Sequence, residues 1–152
     1  MAATAELSIR PAGPADVAAI EALLTSFDLP TAGVSEQING FVVAEDGDAI
    51  VASAGLEVYG TAALLRSVAV HPDHQRRGLA ATLVRTLLTR ARDTGVEQVF
   101  LLTLTAATYF RRLGFEDIPD TAIDTAVRAS KEFTDCCCAD AQAMRLTSGG
   151  DR

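Results

Sequence analysis

Residues 64–81 read Leu64-Leu65-Arg66-Ser67-Val68-Ala69-Val70-His71-Pro72-Asp73-His74-Gln75-Arg76-Arg77-Gly78-Leu79-Ala80-Ala81, and this stretch decides how the rest of the chain is read. Its first seven residues are apolar and rich in β-formers, the pattern of a buried strand. His71-Pro72-Asp73-His74 then forces a turn, because proline fixes φ and aspartate bonds to nearby backbone. Downstream, Leu79, Leu83, Val84, Leu87, Leu88 and Ala91 recur at helical spacing and define a one-sided helix, with Gly95 as its C-terminal cap. Gly78 lets backbone approach a bound group closely, and the N–H groups of the first helical turn have no partners within the helix. With the helix dipole and two arginines beside it, that turn suits a pyrophosphate.

Spacing narrows the kind of phosphate site. A P-loop needs Gly-x-x-x-x-Gly-Lys-Ser/Thr, and the one lysine, Lys131, is far away. A dinucleotide fingerprint needs Gly-x-Gly-x-x-Gly, and this turn has a single glycine. Gln75 to Ala80 instead resembles the Q/R-x-x-G-x-G/A signature of the GCN5-related N-acetyltransferases (GNAT), in which this loop binds the pyrophosphate of acetyl-CoA. Tyr109-Phe110-Arg111-Arg112-Leu113-Gly114-Phe115 is similar to that family's aromatic-aromatic-x-x-x-Gly-Phe segment. A strand-like run, Val99 to Leu104, lies between the two motifs, in the family's order. A strand-turn-helix with a merely solvated arginine pair is the alternative, and agreement of strand, turn and helix weighs against it.

Length and composition agree. At 152 residues with 49% hydrophobic content, the chain suits one domain with a core of its own. No run approaches the length of a membrane span, and Met1 to Arg10 lacks a secretory pattern, so a cytoplasmic protein without a membrane partner is expected. A net charge of −7 argues against nucleic acid.

The expected organisation is a single α/β domain over residues 5–147 with a flexible tail at 148–152. Leu7 to Arg10 reads as a first strand, and Pro14 opens a helix with Val17, Ile20, Leu24 and Phe27 inward. Asp46-Gly47-Asp48 joins two strands as a hairpin, and Gly60-Thr61 joins the second to the strand ending at Val70. A helix-prone stretch over about 122–133 and a last strand at 142–147 follow. Hairpins first and strand-helix-strand afterwards imply a mixed sheet with helices on both faces; the family resemblance implies a mostly antiparallel GNAT-like sheet with a central splayed strand pair.

Gly55 to Gly60, Leu64 to Ser67, Leu101 to Thr103 and the segment from Lys131 to Met144 further resemble the arsenic-resistance subgroup of these acetyltransferases. The resemblance implies acetyl-CoA as co-substrate and direct attack of an amine on its thioester. It places the pantetheine arm along Val68, Ala69 and Val70, and the pyrophosphate on Gln75, Arg76, Arg77, Gly78, Leu79, Ala80 and Ala81. Many members carry a tyrosine four residues before the motif glycine to protonate the leaving thiolate. Here that position is Phe110, expected against the cofactor, and the tyrosine is Tyr109, turned about 100° away on a helix. Tyr109 is carried as the candidate acid despite that direction, its other readings being a core residue or a substrate-side group. A CoA-type thiol, with a pKa of about 8.5, is a tolerable leaving group without one.

The attacking amine must lose a proton, and Glu57, in an apolar strand, is the candidate base. Arg66, with Ser67 beside it, suits a carboxylate on the acceptor; each also has a plain structural reading, Glu57 as the salt-bridge partner of Arg66. Cys136-Cys137-Cys138 lacks zinc-ligand spacing but could hold a soft ion such as trivalent arsenic; His71 and His74 read as turn residues, and no metal site is assigned. The expected partners are acetyl-CoA and a small-molecule amine, with a homodimer left open. The competing function is a catalytically weak CoA-binding or thiol-based metalloid-responsive protein on the same fold.

Overall fold

The computed structural model describes residues 7–130 and 141–147. Its strands are β1 (Leu7–Pro11), β2 (Phe41–Asp46), β3 (Ala49–Tyr59), β4 (Ala62–Val70), β5 (Gln98–Thr103), β6 (Glu116–Ile118) and β7 (Gln142–Thr147). They form one sheet in the order β1-β2-β3-β4-β5-β7-β6, antiparallel throughout except between β4 and β5. The α-helices are α1 (Val17–Ser26), α2 (Leu79–Asp93) and α3 (Ala107–Arg112).

Both faces of the sheet are covered, which is why its central strands read as unbroken apolar runs. On one face, Val42, Ala44, Leu56 and Leu65 pack with Leu79, Leu83, Val84, Leu87 and Ala91 of α2. On the other, Phe41, Val43 and Ala69 pack with Ile20, Leu23 and Leu24 of α1. Alternation along β2 thus sends neighbouring residues to opposite cores. Each fully buried Leu or Val contributes roughly 1.5–3 kcal/mol, so these cores hold the sheet in place for what its middle does.

In that middle two irregularities open the sheet. The β4–β5 register runs from Ala62↔Gln98 to Leu64↔Phe100 and stops there, although β4 continues to Val70 and β5 to Thr103. This is the expected splay. Just beyond it, the β3–β4 register steps from Ser53↔Ala69 to Gly55↔Arg66, so Ala54 alone faces Ser67 and Val68. That is a β-bulge, a device that re-aims side chains. Ser67 has φ of 60°, and the buried Ser53 hydroxyl donates to its carbonyl at 2.8 Å, holding the strained turn.

Several local expectations change. Pro14 opens a 3-10 turn, Pro14–Asp16, before α1 begins, and Leu23 rather than Phe27 completes the buried face. Phe27 caps α1 and is 36% exposed. The stretch expected as one helix over 122–133 has only the 3-10 turn Val127–Ala129 within its described part, after another at Asp120–Ala122. β6 is an added short strand, paired to β7. Cys136, Cys137, Cys138 and the tail at 148–152 lie outside the described residues.

Candidate active site

The splay opens into a cleft of about 1110 Å³. That exceeds the roughly 300–1,000 Å³ of ordinary small-ligand sites, as a long cofactor together with an acceptor would require. One wall is β4 from Leu65 to Val70, the facing wall is Leu101 to Ala106 with Tyr109, Phe110 and Arg112, and one end is the turn before α2. Phe27, Asp28, Leu29 and Pro30 close another side.

The turn before α2 has a backbone suited to an anion. Arg76 has φ of 69° and Gly78 φ of 77°, so positive-φ residues flank Arg77 immediately before the helix. A side chain added at Gly78 would meet nothing within 4 Å, so the demand for glycine comes from its left-handed backbone and not from crowding. Such a turn at the N-terminus of a 15-residue helix gathers backbone N–H groups and the positive end of the dipole. Gln75, Arg76, Gly78, Leu79 and Ala80 line the cleft, whereas Arg77 and Ala81 border the turn without lining it. Arg76 and Arg77 are exposed.

Val68, Ala69 and Val70 line the cleft, as the pantetheine assignment expects. The side chains of Val68 and Val70 pack on the α2 core and that of Ala69 on the α1 core, leaving backbone to do the binding. The Val70 carbonyl accepts from Nε2 of Gln75 at 2.9 Å, which ties the turn to the end of the strand.

Phe110 is buried edge-on against Phe115, and Tyr109 is half-buried against Phe110. The motif's Gly-Phe pair has a local explanation. The Gly114 N–H donates to the Arg111 carbonyl and the Phe115 N–H to the Phe110 carbonyl, with Gly114 at φ of 105°: a Schellman cap sealed by the two phenylalanine rings. This short helix presents both Tyr109 and Phe110 to the cleft, although their directions differ. Desolvation holds the Tyr109 hydroxyl above its ordinary pKa, Arg85 pulling weakly the other way, so it keeps its proton at neutral pH.

Glu57 and Arg66 come together, and of the two Arg66 lines the cleft while Glu57 does not. Their side chains are 1% and 0% exposed and bonded at 3.0 Å from Nη1 to Oε2. The Tyr59 hydroxyl donates to Glu57 Oε1 at 2.5 Å, so both carboxylate oxygens have donors. Glu57 does not line the cleft, and the expectation of a general base there gives way to the counter-ion reading, because the carboxylate is committed to a buried cation. The Arg66 guanidinium is likewise engaged: Nε donates to Ser67 Oγ at 2.9 Å and Nη2 to the Pro30 carbonyl at 3.1 Å, while Nη1 also donates to the Ala32 carbonyl. A bidentate grip on an acceptor carboxylate would have to displace these partners. Ser67 remains on the cleft.

His74 was not expected at the site, yet it lines the cleft, with Nε2 3.0 Å from Asp46 Oδ2. Only the hairpin Asp46-Gly47-Asp48 and the turn at Pro72 together bring it there. Among the described residues no cluster of His, Cys, Asp and Glu could hold a metal ion.

A sheet splayed beside a helix-start turn, with an aromatic pair across the gap, is the arrangement that the resemblance to the GNAT fold implies. Residues 37–117, more than half of the chain, match the family model for the acetyltransferase (GNAT) domain, and the chain belongs to that family. Rv2747 from Mycobacterium tuberculosis, solved in complex with CoA and NLQ, is 26% identical with a TM-score of 0.76, over 92% of this chain and 98% of that one. N-acetylglutamate synthase from Neisseria gonorrhoeae, complexed with coenzyme A and N-acetyl-glutamate, shares the fold at a TM-score of 0.79 and 20% identity, over 96% of this chain and 36% of that one. The amino-acid acetyltransferase of Pasteurella multocida is 30% identical over 91 residues, 55% of this chain. The chain spans about a fifth of the length of the curated relatives it matches.

Proposed function

We propose that this protein transfers the acetyl group of acetyl-CoA to the amine of a small, amino-acid-like acceptor by direct attack. The observation that carries the reading is the joining of the β4–β5 splay and the turn before α2 in a single cleft. The cofactor's pyrophosphate rests on the backbone of the Gln75–Ala81 turn, and its pantetheine arm runs along Val68 and Ala69. A backbone N–H in the splay polarises the thioester carbonyl as negative charge develops on its oxygen. Phe110 packs beside the arm, and Tyr109, protonated and on the cleft wall, is the donor within reach of the departing thiolate. The acceptor enters on the side of Phe27 to Pro30 and Ser67. Its amine gives up a proton to water in the cleft, since Glu57 is committed to Arg66.

Relatives named for amino-acid acetylation support an amino-acid-like acceptor. The resemblance to arsenic-resistance acetyltransferases adds amino acids that carry arsenic to the candidates. Release of free thiol from acetyl-CoA, measured across amino acids, polyamines, antibiotics and an arsenic-bearing amino acid, tests the reading. Turnover with an amino acid is expected; no turnover with any amine, together with tight CoA binding, favours the weak CoA-binding alternative. Gly78→Glu puts a carboxylate where the pyrophosphate belongs and should weaken acetyl-CoA binding at least tenfold in a folded protein. Unchanged affinity would move the cofactor elsewhere. Tyr109→Phe, with normal cofactor binding, should lower turnover if the phenol protonates the thiolate, whereas Phe110→Ala should weaken cofactor binding itself.

A further inference from the structure

A buried ion pair is a poor stabiliser, because desolving two charges offsets most of their attraction. Arg66 and Glu57 form such a pair in the middle of the sheet, and the partners of Arg66 suggest another purpose. They come from three separate segments. Glu57 belongs to β3 and is itself held by Tyr59; Ser67 is the strained residue of the β4 bulge; Pro30 and Ala32 belong to the irregular segment after α1. Two of these, Ser67 and Pro30, line the cleft on the acceptor side. In the segment from Phe27 to Pro30 the Phe27, Asp28 and Leu29 amides bond back to the end of α1, Leu29 packs on the α1 core and Asp28 takes a φ of 59°. These ties reach only toward α1, and it is bonds from Arg66 that join Pro30 and Ala32 to the sheet. The carbonyls of Pro30 and Ala32 need donors, and a planar guanidinium reaches both while gripping a carboxylate.

We infer that Arg66 is a positioning residue: anchored by Glu57, it holds the Phe27–Pro30 wall and the Ser67 bulge at a set separation, and so determines acceptor affinity without touching the acceptor. The inference rests on the acetyl-transfer reading and gives Arg66 a role other than a direct carboxylate ligand. A lysine keeps the charge but cannot span these partners from one point.

The experiment compares wild type and Arg66→Lys with two amines, an amino acid and a diamine lacking a carboxylate, and follows hydrogen exchange at the Leu29 and Val34 amides. Arg66→Lys should raise the KM for both amines by a similar factor, roughly tenfold or more given the sensitivity of reaction to small misplacements. The Kd for acetyl-CoA should hold, and both amides should exchange faster. Tyr59→Phe, which removes one anchor of Glu57 and keeps the ring, should move KM and exchange the same way by less; it also decides the matter if Arg66→Lys does not fold. A KM rise confined to the amino acid makes Arg66 a direct ligand and overturns the inference. So does unchanged exchange at Leu29 and Val34, or an equal loss of acetyl-CoA affinity. If wild type acetylates no amine, the acetyl-transfer reading fails, and the exchange rates still decide whether the clamp exists.

Discussion

Tyr59 and Tyr109, the two tyrosines of the chain, lie apart, Tyr59 on Glu57 and Tyr109 on the cleft wall, and are perturbed for related reasons. Tyr59 is pushed up to about 12, first by desolvation and then by the Glu57 carboxylate that accepts its hydrogen bond. Tyr109 is raised by desolvation. Since both folded values lie above the usual value of about 10, the stabilisation they carry is complete below that pH and is lost as pH rises through the folded values. A spectrophotometric titration should therefore show less phenolate at pH 10 than the half ionisation of free tyrosine, with almost none from Tyr59. Tyr59→Phe should remove a step near pH 12. A full two-tyrosine signal by pH 10.5 in folded protein would contradict the Tyr59–Glu57 bond. Residue-level reading from sequence reached the pairing of Glu57 with Arg66 as one of two options. Choosing between them required burial, because a charged residue in an apolar strand can face either core or cleft with the same local pattern.

The elements are held by a few local devices with consequences of their own. Arg10 of β1 bonds Asp16 at 2.8 Å and Glu45 of β2 at 3.0 Å, pinning the first strand to the start of α1. Asp16 also accepts from the Gly13 N–H, and its carboxyl is held down at about 2, chiefly by Arg10. The stabilisation is present above about pH 4 and disappears as pH falls through about 2. Asp16→Asn should cost about 1 kcal/mol at pH 6, allowing for the partly exposed arginine, and nothing near pH 2; urea midpoints at both pH values read this directly. In the core, Gly55 lies opposite Phe41, whose buried ring would meet an added Cβ at 2.4 Å. Gly55→Ala should destabilise by roughly 1–3 kcal/mol or more through overpacking, seen as a lower melting temperature without loss of secondary structure. α2 was legible from its apolar spacing, and its end is sealed as at α3: the Gly95 N–H donates to the Arg92 carbonyl and the Val96 N–H to the Ala91 carbonyl. Over 122–130 the helix-prone composition gives 3-10 turns and no α-helix, because tertiary packing overrides local propensity there. Ile123 and Val127 serve instead to cover Leu64, Phe100, Ile118 and Ala143.

At the scale of the molecule, the proposed cofactor would bridge β4, β5, the start of α2 and α3, which all border the cleft. A ligand that binds the folded state alone stabilises it by mass action, about 2.7 kcal/mol at a hundredfold excess over Kd. For a chain of this size CoA should raise the melting temperature by roughly 5–10 °C under that condition. Gly78→Glu should melt without that increment, and an equal shift in the variant would place CoA away from the turn. The chain's negative charge makes the arginines near the cleft, Arg76, Arg77 and Arg112, a local exception, and added salt should accordingly weaken CoA binding.

What the chain alone determined was whatever is written at short range. Apolar period marked β4 and α2, turn residues marked the two hairpins, and Gly78 with its arginines marked the anion site. These follow from backbone sterics and helix periodicity, which act within a few residues. The tertiary structure decided which side of the sheet each polar group faces. The bulge at Ser67 shifts the phase of β4 between Arg66 and Val68, and no local signal in Leu64-Leu65-Arg66-Ser67-Val68 announces it. That one-residue slip lets Ser67 line the cleft while the Arg66 guanidinium stays buried on Glu57. It likewise took the assembled sheet to bring Phe27, His74 and Tyr109 to one cleft from three distant segments. Side-chain direction in a strand has a period of two, so a single extra residue reverses it; only the partner strand, β3, records where that residue was inserted.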